Sequence, residues 1–351
     1  MSISSLNRNV VLEMDNLEET IDTLFSRFDE AFSAAAYEHK HSAFHCKSDS
    51  PIYPDIVDTA VSEKLDWEGD RCSILVTANG ENTVSNVTWG ERYYSERDVE
   101  ARLTQSKYRM HYLPDLGFWQ FFDKETRKGL QIMRGHDGFP KWDPGSPLRN
   151  FFHWCLNNRS CGLTHAGTLA VDGIGIMLAG PGGSGKSGTV LSGLMNGLDS
   201  VGDDYVLARI EQGKIFASPL FTTLKQDPEG MRRLALDRND NISKTVNWQG
   251  KYQFHLDDVS PTNNVEKIEI RALCIPNISG EETTGFQSAT HKDAFLALAP
   301  SGVSQIPGDR DNTFHVCATL ARSLPCYKVN LSADPREISE KIETFISHEL
   351  L

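Results

Sequence analysis

Two short stretches of this chain carry residue types that could handle a chain of phosphates. The first is Gly180-Pro181-Gly182-Gly183-Ser184-Gly185-Lys186-Ser187, followed by Gly188. Glycines accept positive φ and allow close backbone approach, so successive N–H groups can surround a di- or triphosphate. A lysine closing such a loop bridges β- and γ-phosphate oxygens, and the serine after it holds Mg²⁺. Gly180, Gly182, Gly183, Ser184, Gly185, Lys186, Ser187 and Gly188 are therefore the expected nucleotide contacts, with Lys186 also acting in catalysis. The second stretch is Asp203-Asp204, 17 and 18 positions beyond Lys186. One carboxylate of such a pair can ligate the metal while the other takes a proton from an attacking hydroxyl. In isolation, Gly-Asp-Asp is equally an ordinary turn.

The elements around these residues decide between the alternatives. Residues 173–180 read GIGIMLAG, a short apolar strand entering the loop, and GTVLSGLMNGL continues after it with helical spacing. Strand, glycine-rich loop and helix in that order form the context that confirms a Walker A match, and the helix N-terminus adds its dipole to the phosphate site. DSVGDDYVLARI reads as an apolar strand interrupted by the two carboxylates. Neighbours on a strand face opposite ways, but at the strand's edge both remain usable.

The stretch from His165, HAGTLAVDGIGIMLAGPGGSGKSGTVLSGLMNGLDSVGDDYVL, resembles the core of HPr kinase/phosphorylase and its smaller serine-kinase relatives. It has a His ahead of a strand, a GKS loop and an Asp-Asp pair. Glu269-Ile-Arg271-Ala-Leu-Cys-Ile-Pro-Asn277-Ile is similar to the EVRGLGIINV signature of the same family. The resemblance implies an α/β P-loop kinase domain of the HPr kinase and phosphoenolpyruvate carboxykinase type. It further implies ATP and Mg²⁺ as cofactors and transfer of the γ-phosphate to a serine hydroxyl of a peptide or protein. By motif position it implies Asp203 as general base, Asp204 as metal ligand with Ser187, and His165 as a group beside Asp203 that tunes its proton affinity. Those two aspartate roles can be exchanged within the same pattern. Arg271 is either a stabiliser of charge on the transferring phosphoryl group or an internal ion-pair partner. Ala272-Leu273-Cys274 and Pro276-Asn277 depart from the signature's Gly-Leu-Gly and Ile-Asn, which puts the reverse phosphorylase activity in doubt. Relatives in that family often form oligomers, so a homo-oligomer is an open expectation.

The resemblance does not extend to residues 1–145, which read as a separate α+β domain in front of a kinase domain over 146–351. Leu17, Ile21, Leu24, Phe25, Phe28 and Phe32 fall at three- and four-residue spacing, predicting an amphipathic helix over 15–36. His39, His41, His45 and Cys46 follow in a polar stretch read as a loop, without a metal-ligand spacing. From Cys72 to about residue 134, short apolar runs separated by KETRKG suggest a sheet containing hairpins. GFPKWDPGSP makes a domain boundary, after which Ser146 caps a helix with Pro147 in its first turn and Leu148, Phe151, Phe152 and Cys155 on its inner face. This N-terminal domain is a candidate substrate selector.

Bulk properties narrow the classes. The net charge of −13 lacks the basic surplus of a nucleic-acid binder. Seven scattered cysteines without a Cys-x-x-Cys pair read as reduced thiols of a cytoplasmic protein, and no stretch has the length of a membrane span or a signal peptide. Lys225 and Lys251 flank a polar segment and could reach phosphates, although lysines in such places are usually solvated. Met231-Arg232-Arg233 is too short to argue a further anionic ligand, and Trp142, Trp154 and Phe151 read as core. Besides a serine in a peptide or protein, the acceptor could be a small alcohol such as free serine. A regulator that binds ATP without transferring phosphate is the alternative from outside the enzymes.

Overall fold

The computed structural model describes residues 9–78 and 86–351. Its contacts divide the chain into two compact units. One holds Met1–Thr59, Trp67–Cys155 and Pro307–Asp309; the other holds Ala60–Asp66, Leu156–Ile306 and Arg310–Leu351.

The first unit runs β1 (Asn9–Leu12), α1 (Leu17–Phe25), α2 (Phe28–Ala34), β2 (Tyr37–Lys40), β3 (Phe44–Ser48), α3 (Tyr53–Ala60), β4 (Cys72–Ala78), β5 (Asn86–Trp89), α4 (Glu96–Leu103), β6 (Tyr108–Leu113), β7 (Phe118–Asp123), β8 (Lys128–Met133) and α5 (Arg149–Leu156). Six strands form one sheet in the order β2-β3-β4-β8-β7-β6, while β1 pairs with β5. The hairpin between β7 and β8 turns at the expected KETR. The amphipathic stretch forms two helices rather than one. Ser26 donates its hydroxyl back to the Thr23 carbonyl at 2.7 Å, an alternative to helical bonding that ends α1, and Phe28 restarts the helix. The apolar face survives the break: Leu17, Ile21, Leu24 and Phe28 pack with Trp119, Phe121 and Leu130 of the sheet. Each such side chain contributes about 1.5–3 kcal/mol when fully buried. The histidine stretch is a hairpin of β2 and β3, not a loop.

The boundary helix also differs from expectation. It starts at Arg149 because the buried Leu148 has φ +58, outside the helical region, and its carbonyl accepts the first helical bond from Phe152 N. This helix belongs to the first unit, not the second. Phe151 lies against Gly129 of β8, where a methyl would meet its ring at 2.7 Å, and stacks edge-on with Trp154.

The second unit continues with β9 (Cys161–Thr164), β10 (Gly167–Val171), β11 (Ile174–Leu178), α6 (Lys186–Met195), β12 (Val206–Glu211), β13 (Lys214–Pro219), β14 (Thr223–Gln226), α7 (Pro228–Arg233), β15 (Tyr252–His255), α8 (Leu256–Val259), β16 (Ile268–Glu281), β17 (Gly285–Ser288), α9 (His291–Ser304), α10 (Arg310–Ser323), β18 (Cys326–Ser332) and α11 (Pro335–Phe345). Its main sheet follows β10-β11-β16-β13-β12-β9, with β18 on the far half of β16 and β17 on β18. The strand alternation is visible residue by residue. Ile176 and Leu178 of β11 and Ala272 and Cys274 of β16 face one helical layer, built from α6 and α11. Met177 and Leu273 face the other, built from α9 and α10. Helices on both faces of a mixed sheet, with a strand feeding a glycine-rich loop and a helix, are consistent with a P-loop-like α/β fold. Among the described residues, no helix is long and apolar enough to cross a membrane.

Candidate functional site

The apolar run is shorter than 173–180. β11 stops at Leu178, and the chain turns through Gly180 to Gly185 before α6 opens at Lys186. Gly185 has φ +105, and a methyl there would lie 2.6 Å from Leu331 Cδ1, so conformation and space both require glycine. Among the described residues, the amides of Gly183, Gly185, Lys186, Ser187 and Gly188 donate to no carbonyl. These are the N–H groups that a phosphate chain would engage, and the positive end of α6 adds to them.

Lys186 is nearly buried at 7 % exposure, and its ammonium donates to the carbonyls of Gly180 at 2.6 Å and Pro181 at 3.2 Å. Burial lowers its proton affinity, the Lys251 charge pushes the same way, and Asp203 and Asp204 oppose both.

The two aspartates precede β12 instead of interrupting it. Asp203 is 2 % exposed and its Oδ1 has no hydrogen-bond partner. Gly167 at the start of β10 leaves room for that carboxylate, since a methyl there would lie 3.0 Å from Oδ1. Burial raises the proton affinity of Asp203 and the neighbouring Asp204 charge adds to it, against Ser187, Lys186 and His165.

Asp204 has φ +80, a conformation that costs a residue with a Cβ about 1–3 kcal/mol. Its carboxylate is held by His165 Nε2 at 3.0 Å and Lys225 Nζ at 2.8 Å. Burial alone would raise its proton affinity, but Lys225 and His165 outweigh that and hold it well below the usual carboxylate range. The His165 ring packs on Tyr205 with centroids 5.3 Å apart, and its buried Nδ1 has no hydrogen-bond partner.

The structure therefore brings together the loop, Lys186, Ser187, Asp203, Asp204 and His165. One expected pairing changes, because His165 binds Asp204 and not Asp203. Arg271 does not join the site. Its guanidinium pairs with Glu269 Oε1 at 2.9 Å and donates to the Leu350 carbonyl at 2.7 Å. The loop lies beside Pro276, five residues or roughly 16 Å farther along β16. Of its two expected roles, the internal ion-pair partner is the one found. In its place come residues that received little weight. Lys225 on β14 grips Asp204, Lys251 is felt electrostatically by Lys186, and Arg233 Nη2 lies 3.4 Å from where a methyl on Gly188 would sit. The only signal for them was the clustering of basic residues after the aspartates.

A magnesium nucleotide suits these groups. Among the described residues, no three His, Cys, Asp or Glu side chains form a metal cage. Mg²⁺ is commonly held by one or two carboxylates together with phosphate oxygens and water, and the orphaned Oδ1 of Asp203 offers such a ligand. His39 and His45 are paired instead with Asp58 and Glu38.

No family model matches the sequence, and no curated protein matches it. Among solved structures the chain is similar to the Hpr(Ser) kinase/phosphatase from Coxiella burnetii, with a TM-score of 0.28 and 13% identity over 53% of this chain and 93% of that one. A likeness this loose transfers no residue roles, and the site stands on its own geometry.

Proposed function

We propose that the chain is an ATP- and Mg²⁺-dependent phosphotransferase acting on a hydroxyl group, with a serine of a peptide or protein as the favoured acceptor. The supporting observation is two adjacent carboxylates in opposite electrostatic situations beside a buried lysine and a phosphate loop.

Magnesium ATP, when bound, supplies an activated phosphoryl group whose transfer needs positioning and charge neutralisation more than covalent help. The unpaired amides of the loop and α6 bind phosphate oxygens, and Lys186 neutralises their charge. The buried and unpartnered Oδ1 of Asp203, with Asp204 already held by His165 and Lys225, favours Asp203 as the carboxylate that holds the cation, so the aspartate roles are exchanged relative to the family pattern. Asp204, oriented by His165 and Lys225, aligns the acceptor hydroxyl and takes its proton. In a loose transition state that proton leaves late, so orientation counts for more than base strength. Lys225 also contributes positive charge next to the reacting oxygens.

Incubation with γ-labelled ATP, Mg²⁺ and a lysate divided into macromolecules and metabolites tests this. Label in protein supports the favoured acceptor, and label in metabolites indicates a small alcohol such as free serine. Nucleotide binding without transfer to any fraction would mean a non-catalytic regulator. For the aspartates, Asp204→Asn is expected to retain Mg²⁺-dependent ATP binding and lose transfer, whereas Asp203→Asn loses the Mg²⁺ dependence of binding itself. The reverse pattern would restore the original assignment.

A further inference from the structure

As a sequence, Met231-Arg232-Arg233 carries no ligand, but the fold places its last arginine at the phosphate loop. Gln226 ends β14, Asp227 caps α7 by accepting from Gly230 N at 2.8 Å, and Arg233 closes that helix. This short excursion brings both side chains to the first turn of α6. A methyl on Gly188 would lie 3.4 Å from Arg233 Nη2 and 3.5 Å from Gln226 Nε2, so the two nitrogens stand beside the one residue of that turn without a side chain.

Neither nitrogen is satisfied by the protein. Gln226 is 6 % exposed, and its Oε1 accepts from Asp227 N at 3.1 Å, while its Nε2 donates to no group among the described residues. Packing fixes the carboxamide there, because it lies over Gly230, where a methyl would meet Nε2 at 2.4 Å. Arg233 is exposed, and among the described residues no carboxylate or carbonyl pairs with it. A guanidinium at the positive end of a helix is repelled by the helix dipole unless an anion lies between them. The amide of Gly188 also donates to no carbonyl. A guanidinium, a buried carboxamide and a main-chain N–H thus meet at one place with no acceptor from the chain, the surroundings that suit a phosphate oxygen.

The position of these donors also selects the phosphate. Asp203 and Asp204 mark the end of the nucleotide where transfer takes place, and Arg233 touches neither: Asp203 Oδ1 has no partner, and Asp204 is held by His165 and Lys225. Lys225 and Gln226 are neighbours on β14 and part ways, the first reaching Asp204 and the second Gly188. We propose that Gln226 and Arg233 bind the phosphates that stay on the nucleotide, a second anion clamp that holds ATP and its ADP product alike. The clamp rests on the nucleotide-binding reading of the loop given above and extends it to residues outside the loop.

Calorimetric titration of the full chain with ATP and with ADP, both with Mg²⁺, tests the clamp. Arg233→Gln should weaken both nucleotides about tenfold, the loss of one charged hydrogen bond, and Gln226→Leu about fivefold. Arg233→Lys keeps the charge without the planar fork and should recover part of the affinity. Arg232→Gln, in the same turn of α7, should bind as the unsubstituted chain does. Because Arg233 is exposed and unpaired, its variants should keep the urea midpoint of the native chain, so that lost affinity reports on the ligand and not on folding. The clamp is overturned if Arg233→Gln binds ATP and ADP as tightly as the unsubstituted chain. It is also overturned if ATP weakens while ADP does not, because the arginine would then serve the transferred phosphate. If the unsubstituted chain bound neither nucleotide, the reading of the loop would fall, and the clamp with it.

Discussion

Asp143 in the first unit and Asp203 in the second are carboxyl groups at 5 % and 2 % exposure, and burial raises the proton affinity of both. Their surroundings make them different groups. The Oδ2 of Asp143 accepts the Tyr53 hydroxyl at 2.6 Å within a polar interior that includes the Asn150–Gln120–Gln131 amide chain. Asp203 keeps an unpartnered oxygen beside a buried ammonium, next to a residue held at positive φ. Burial alone makes an unusual acid. Orphaned atoms and positive φ do not separate the two, since Asn150 Oδ1 near Asp143 also has no partner and Leu148 is left-handed. What marks Asp203 is the lysine and the second carboxylate whose charges act on it beside a glycine loop.

The largest effect that would test this contrast lies at the second site. Lys186→Ala and Asp204→Asn should each reduce phosphoryl transfer on the order of 10³-fold, read as initial rates with labelled ATP. Asp143→Asn should leave that rate unchanged, and a comparable loss of transfer there would break the comparison.

Asp143 should instead declare itself in stability. Its proton affinity rises from 3.8 to about 7 in the folded chain, so the folded state holds a proton that the unfolded state releases. The stabilisation is full below about pH 4 and is lost as pH rises toward 7, amounting to at most about 4 kcal/mol. Urea midpoints measured from pH 4 to 8 should therefore slope downward more steeply for the native chain than for Asp143→Asn. Parallel slopes would mean that the carboxyl is ionised throughout.

Smaller effects refine the site. Lys225→Met removes one of the two partners of Asp204 and should slow transfer about tenfold, the equivalent of a charged hydrogen bond of about 1.5 kcal/mol. Arg271→Ala should keep the rate and lower stability by at most about 1 kcal/mol, because its ion pair with Glu269 is partly exposed. If Arg271→Ala abolished transfer in a folded protein, the arginine would have to be returned to the site.

Much of the phosphate loop was legible because its requirements are local. A strand, glycines free of Cβ constraints, a lysine and a helix start are consecutive in the chain, and Gly185 needs glycine in the structure for two separate reasons. The break between α1 and α2 was less legible, since it depends on one serine hydroxyl competing with the backbone inside an unbroken apolar pattern. The start of α5 was missed because Pro147 at a first turn and a left-handed Leu148 give the same sequence pattern.

The amino-acid order by itself determined which residues could bind phosphate and that two carboxylates follow the loop at close spacing. Tertiary structure decided which aspartate keeps an unpartnered oxygen, which one His165 and Lys225 grip, and that Arg271 lies elsewhere along β16. Local spacing specifies backbone conformation over a few residues. The partner of a charged side chain is set by elements far apart in the chain, and here β14 carries Lys225 to a carboxylate that lies 21 positions earlier.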